Sequence, residues 1–176
     1  MTAKKQKQPR KISRQYLENA ALYYLQRYAS SAENLRRVLR RKIMRSCAFH
    51  KDVPDAFYPI ADELVARYIA SGLLDDKVFA RSKVSSLRRQ GKSAKAIHAK
   101  LQAKGLGKDD IGTALEEQDT EEEDADLAAA RRLVKRKKLG QTKDAAKRQK
   151  ELAVLGRAGF SYETAKAALD YAEDEE

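Results

Sequence analysis

The chain repeats itself. Leu101, Gly105, Leu106, Ala114 and Leu115 find the same kinds of residue about 54 positions later in Leu155, Gly159, Phe160, Ala168 and Leu169. Displaced by about 62 positions, Leu25, Arg27, Ser31, Ala32, Leu35 and Leu39 fall on Leu87, Arg89, Ser93, Ala94, Ile97 and Leu101. The shared unit is an apolar helix, a glycine stop, one hydrophobic residue and a short helix. Together the two displacements describe three tandem units of three helices each. A unit of about 50 residues buries little apolar surface by itself, and a stack gains stability mainly from contacts between neighbours. The expected fold is therefore all-α: three tandem three-helix repeats forming an elongated, curved body, with repeats over 15–72, 73–123 and 124–176.

Composition supports helices throughout. Ala, Leu, Lys, Arg and Glu dominate, Gly and Pro number only 8 and 3, and Trp is absent. No run alternates Val, Ile or Thr as a strand would. Residues 1–14 carry Lys4, Lys5, Lys7, Arg10, Lys11 and Arg14 with almost nothing to bury, and are expected to form a disordered basic tail. Tyr16, Leu17, Ala20, Ala21, Tyr24, Leu25 and Tyr28 then make one apolar stripe. Ser30 and Glu33 suggest a capping box for a second helix that buries Leu35, Val38, Leu39 and Ile43. Residues 44–59, with Cys47, His50, Pro54 and Pro59, are expected to be an irregular insertion. Ile60, Leu64, Val65, Tyr68 and Ile69 form the stripe of the next helix, which ends at Ser71 and Gly72.

In the second unit, an aspartate of Leu73-Leu74-Asp75-Asp76 is placed to cap a helix burying Phe79, Ala80, Val84 and Leu87. Gly91 stops that helix, Ser93 caps the next, and every charged residue from Lys77 to Lys108 is basic. The acidic stretch Glu116–Asp126 is expected to be a solvated linker, since it lacks the glycine and ligand spacing of a calcium loop. A third set of stripes follows in Leu127, Ala130 and Val134, then Leu152 and Leu155, then Ala165, Ala168 and Leu169, before an acidic end at Glu173–Glu176.

The formal charge of +11, from 37 basic against 26 acidic residues, makes a polyanion the natural partner. An enzyme is disfavoured. Cys47 is the single cysteine, which excludes an intrachain disulfide and a thiolate zinc cage. Cys47 and His50 lie three apart with no third group to orient them, and His98 shares a helix with Ile97 and Leu101. No cofactor, metal or small-molecule substrate is expected. No apolar run approaches the roughly 20 residues needed to cross a bilayer, and the basic N-terminus has no apolar core behind it. The expected compartment is the cytoplasm, with no membrane partner.

The stretch from Ala21 to Ser31, the phrase Ser71-Gly72-Leu73-Leu74-Asp75-Asp76 with Phe79-Ala80, the run from Gly91-Lys92-Ser93 to Gly105-Leu106, and Leu155-Gly156-Arg157-Ala158-Gly159-Phe160 resemble the RecX family of regulators of the RecA recombinase. The resemblance covers about residues 16–172, and the insertion 44–59 departs from it. It implies a bacterial protein of tandem three-helix repeats that lies along the groove of the RecA filament on single-stranded DNA. There it would limit ATP hydrolysis, strand exchange and coprotease activity, without catalytic residues of its own. A monomer is expected. The basic faces supply candidate filament and DNA contacts in Arg36, Arg37, Arg40, Arg41, Arg88, Arg89, Lys92, Lys95, Arg131, Arg132 and Lys135. The alternative is a basic helical protein that binds DNA or RNA directly, without RecA. Ser93–Gly105 leading into Ile111–Leu115 resembles a helix-turn-helix, but the charge is spread over all three units and not gathered on one recognition helix.

Overall fold

The computed structural model describes residues 8–120, 124–142 and 144–174. Among these residues the regular structure is entirely helical: α1 (Arg14–Leu25), α2 (Ala32–His50), a 3-10 turn (Pro54–Ala56), α3 (Tyr58–Ala70), α4 (Asp76–Arg89), α5 (Ala94–Ala103), α6 (Lys108–Asp119), α7 (Ala125–Lys137), α8 (Ala145–Arg157) and α9 (Tyr162–Asp174). The three tandem three-helix repeats are thus α1–α3, α4–α6 and α7–α9. They fall into two compact units, one ending at Asp76 and one beginning at Lys77.

The first unit closes on a core of Leu17, Leu35, Leu39, Ile43, Leu64 and Val65, all without solvent exposure. Two expectations fail here for one reason. The stripe of α2 does not stop at Ile43 but continues one turn later through the buried Ser46 and Cys47, so the helix runs on to His50. Lys51, in the left-handed conformation at φ 61°, ends it. The irregular insertion therefore shrinks to 51–57. The extra turns of α2 also hold part of the segment expected to be a tail. Ser46 Oγ donates to the carbonyl of Arg10 at 2.7 Å, His50 Nε2 donates to that of Pro9 at 2.9 Å, and Ile12 is buried. Ser13 then caps α1 by accepting from the amide of Tyr16 at 3.1 Å. The stretch is thus anchored at Pro9, Arg10 and Ile12, while the side chains of Arg10, Lys11 and Arg14 stay exposed. Lys4, Lys5 and Lys7 lie outside the described residues.

The helix starts are built alike in the first two repeats. Ser31 Oγ accepts from the amide of Asn34 and Ser93 Oγ from that of Ala96. The first amide of each helix turns to a distant carboxylate: Ala32 N donates to Asp76 at 2.8 Å, and Ala94 N to Asp126 at 2.9 Å. Two orphan amides of each helix start are thus satisfied by one local serine and one remote aspartate. One aspartate of the pair thus closes a helix start other than its own. Asp76 stands at the start of α4 but accepts from the amide of α2, while Leu74 beside it is buried in the first core. The cap at Ser31 likewise replaces the one expected at Ser30.

In the second unit, one apolar cluster gathers Phe79, Val84, Ile97, Leu101 and Ile111, and another gathers Leu133, Val134, Leu155, Phe160 and Leu169. The glycine stops join them. Gly91 (φ 64°) and Gly159 (φ 99°) hold conformations that L side chains rarely adopt. They also sit against the neighbouring repeat: a Cβ on Gly91 would lie 2.7 Å from Leu133 Cβ, and one on Gly159 2.7 Å from Ala96 Cβ. The amide of Ser93 donates across to the carbonyl of Ala158 at 3.3 Å. The residue after each stop tucks back, with the amides of Leu106 and Phe160 returning to Leu101 and Leu155.

Candidate functional site

Arg36, Arg37 and Arg40 of α2 are engaged with carboxylates of their own unit. Glu33 accepts from Arg36 Nη1 at 2.6 Å and from Arg37 Nε at 3.1 Å. Asp62 of α3 accepts from Arg36 Nε at 2.9 Å and from Arg40 Nη2 at 3.2 Å. The hydrogen bond from Arg36 holds the carboxyl of Glu33 below its ordinary pKa. These side chains bridge α2 to α3 as well as carrying charge, while Arg41 stands exposed on the same helix.

Arg88 overturns its assignment as a surface contact. It is 4% exposed. Its Nε donates to Asp119 Oδ1 at 3.0 Å, its Nη2 to Asp119 Oδ2, and its Nη1 to Asp126 at 2.5 Å and to the carbonyl of Lys92 at 3.2 Å. One guanidinium thereby ties α4 to α6 and α7. Burial alone would lower its pKa, but the hydrogen bonds to Asp119 and Asp126 outweigh that and leave it raised. The acidic stretch read as a solvated linker supplies these partners: Asp119 ends α6, Asp126 lies in the first turn of α7, and Glu117 pairs with Arg81 at 2.6 Å. Glu121–Glu123 lie outside the described residues. Arg89 and Lys95 are exposed, and Lys92 is half-buried.

The structure brings Arg131, Arg132 and Lys135 together. Along with Lys138, which was not among the expected contacts, they border a hollow of about 460 Å³ between α7 and α9, floored by Val134, Leu139, Ala168 and Ala172. The guanidinium of Arg131 sits 3.9 Å from the ring centroid of Tyr171. Cations in the last turn of α7 complement the helix dipole, which gives the sequence a local reason to carry them. Tyr171 belongs to no stripe, and its part in the hollow follows only from the packing of α9 on α7. No helix among the described residues is long and apolar enough to cross a membrane.

Comparison with known proteins gives one consistent picture. The family description "RecX, second three-helix domain" matches residues 75–115, which covers most of α4–α6. The chain is similar to the regulatory protein RecX of Myxococcus xanthus, with 39% identity over 169 residues that cover 93% of this chain and 89% of that protein. It is 30% identical to the regulatory protein RecX of Agrobacterium fabrum, over 84% of this chain and 78% of that one. In fold it resembles the crystal structure of RecX from Lactobacillus salivarius, with a TM-score of 0.64 at 21% identity over 91% of this chain and 96% of the other.

Proposed function

Because this chain belongs to the RecX family of regulatory proteins, we propose that it modulates RecA, binding along the RecA filament on single-stranded DNA and limiting its ATP turnover, strand exchange and coprotease activity. The carrying observation is the 39% identity maintained over 93% of the chain with a regulatory protein RecX. Charge is consistent with it. A net +11 suits a partner that includes DNA phosphates, while the pairing of Arg36, Arg40 and Arg88 with carboxylates leaves only part of that charge for binding. The protein acts in this reading as a monomer in the cytoplasm, by occupying a filament and with no chemistry of its own.

The test is a titration into RecA turning over ATP on saturating single-stranded DNA, paired with co-sedimentation against the filament, bare DNA and RecA alone. The reading expects falling turnover and preferential sedimentation with the filament. Unchanged turnover with equal affinity for bare DNA and filament would replace it with direct nucleic-acid binding, a reading that the basic hollow beside Tyr171 favours.

A further inference from the structure

We propose that the hollow between α7 and α9 is a binding site for one nucleotide unit of a single-stranded nucleic acid, with the base stacked at Tyr171 and the flanking phosphates on Arg131, Lys135 and Lys138. The proposal deepens the nucleoprotein reading and rests on it for the partner's class.

Three observations carry it. The first is charge. Among the described residues the hollow is bordered by four cations and lined by no carboxylate. Two acids of α8 and α9 are engaged elsewhere: Glu151 accepts from the amide of Gly140 at 3.2 Å, and Asp170 pairs with Arg148. A polyanion therefore meets attraction without competition from these carboxylates. The second is spacing. Arg131 and Lys135 stand four residues apart along one edge of α7, so their side chains start about 5–6 Å from one another, close to the separation of successive phosphates on a single strand, and Lys138 follows just past the end of the helix. A cluster selected only to complement the helix dipole would have no reason to reach back to Arg131, in the middle of the helix.

The third is the aromatic floor. Tyr171 is 41% exposed, and the Arg131 guanidinium lies 3.9 Å from its ring centroid, so ring and guanidinium form a stack to which another planar group can add. A volume of about 460 Å³ over apolar Leu139, Ala168 and Ala172 has room for a base. Bases in a duplex are already paired and stacked, so the site selects a strand whose bases can be turned outward. An acidic peptide would satisfy the charge but would leave the stack unused.

The test measures binding of the full chain to a fluorescent oligothymidylate by anisotropy, with RecA absent, beside an abasic oligomer of the same length. Tyr171→Leu keeps the bulk and removes the π face. It should weaken binding of the oligothymidylate about tenfold and leave the abasic oligomer unchanged, while Tyr171→Phe behaves as the parent. Lys135→Glu should weaken both ligands alike and lower the salt slope by about 0.7, one single-strand phosphate. Thermal unfolding of each variant checks that the chain is intact. Equal losses on both ligands for Tyr171→Leu, or no loss on either, overturn the proposal. So does displacement of the oligothymidylate by polyglutamate of matched charge as readily as by unlabelled oligothymidylate, which would assign the hollow to an acidic protein. Since RecA is absent, failure here leaves the ATPase titration to decide the regulatory reading on its own.

Discussion

Arg88 donates to Asp126 at 2.5 Å, and through that pair the first helix of the second repeat is bound to the first helix of the third. Asp126 uses the same oxygen to accept from the amide of Ala94, so one carboxylate satisfies both a buried cation and the open start of α5. The pair is therefore part of the repeat interface, and its removal should be felt as lost stability.

Arg88→Met should destabilise the chain by about 3 kcal/mol, the lower end for breaking a buried ion pair because Asp119 and Asp126 keep some access to water. Arg88→Lys retains the charge but loses the planar fork, and should cost about 1–2 kcal/mol. Urea unfolding followed by circular dichroism measures both. A loss below about 1 kcal/mol for Arg88→Met would show that the network contributes little.

The glycines offer a graded test of how closely the repeats approach. Gly72 and Gly91 share a positive φ, of 72° and 64°, but a Cβ at Gly72 meets nothing within 4 Å while one at Gly91 meets Leu133 at 2.7 Å. Gly72→Ala should cost only the left-handed penalty, about 1–2 kcal/mol. Gly91→Ala should cost about 2–4 kcal/mol, since it adds overpacking at the contact with α7. Equal losses in thermal or urea unfolding would mean that the interface yields to a methyl group.

Much of this was legible in the sequence, and the parts that were not share a cause. Stripes such as Leu35, Leu39 and Ile43, and the stops at Gly91, Gly105 and Gly159, are local signals, and the helices lie where they point. Cys47 continues the stripe of α2 four residues after Ile43, but a polar Ser46 and the prolines beyond it masked the signal. Arg88 looks on the sequence like Arg89 beside it. Its burial depends on Asp119 and Asp126, more than 30 residues away, and no local pattern announces such a pairing. The same holds for Tyr171, whose ring gains its partner only when α9 packs on α7.

Glu33 makes the first repeat sensitive to acid. Its pKa is lowered from the ordinary 4.5, chiefly by the hydrogen bond from Arg36, with burial opposing and Arg37 assisting. A depressed carboxyl stabilises the fold above its unfolded value and loses that contribution as the pH falls through its folded value. The parent should therefore lose thermal stability below pH 4.5 more steeply than Glu33→Gln, which should be slightly less stable at neutral pH and flatter on acidification. Parallel pH profiles for the two proteins would remove Glu33 from the account.

The exposed cations divide the binding role from the structural one. Arg41, Arg89 and Lys135 are exposed, and charge reversal at each should leave the unfolding midpoint close to the parent's, as surface changes usually stay within about 0.5 kcal/mol. Each that contacts phosphate should lower the salt slope of filament binding by about 0.7 on single-stranded DNA. Arg36 and Arg40 behave differently. A glutamate at either position would face Glu33 or Asp62 and loosen α2 from α3, so a binding defect there would mix lost charge with lost fold. The informative set is thus Arg41→Glu, Arg89→Glu and Lys135→Glu, compared singly and together for filament affinity, salt slope and RecA ATP turnover. The triple variant should remain folded and lose most of its effect on turnover. A folded triple variant that still suppresses turnover fully would place the filament contact on other residues.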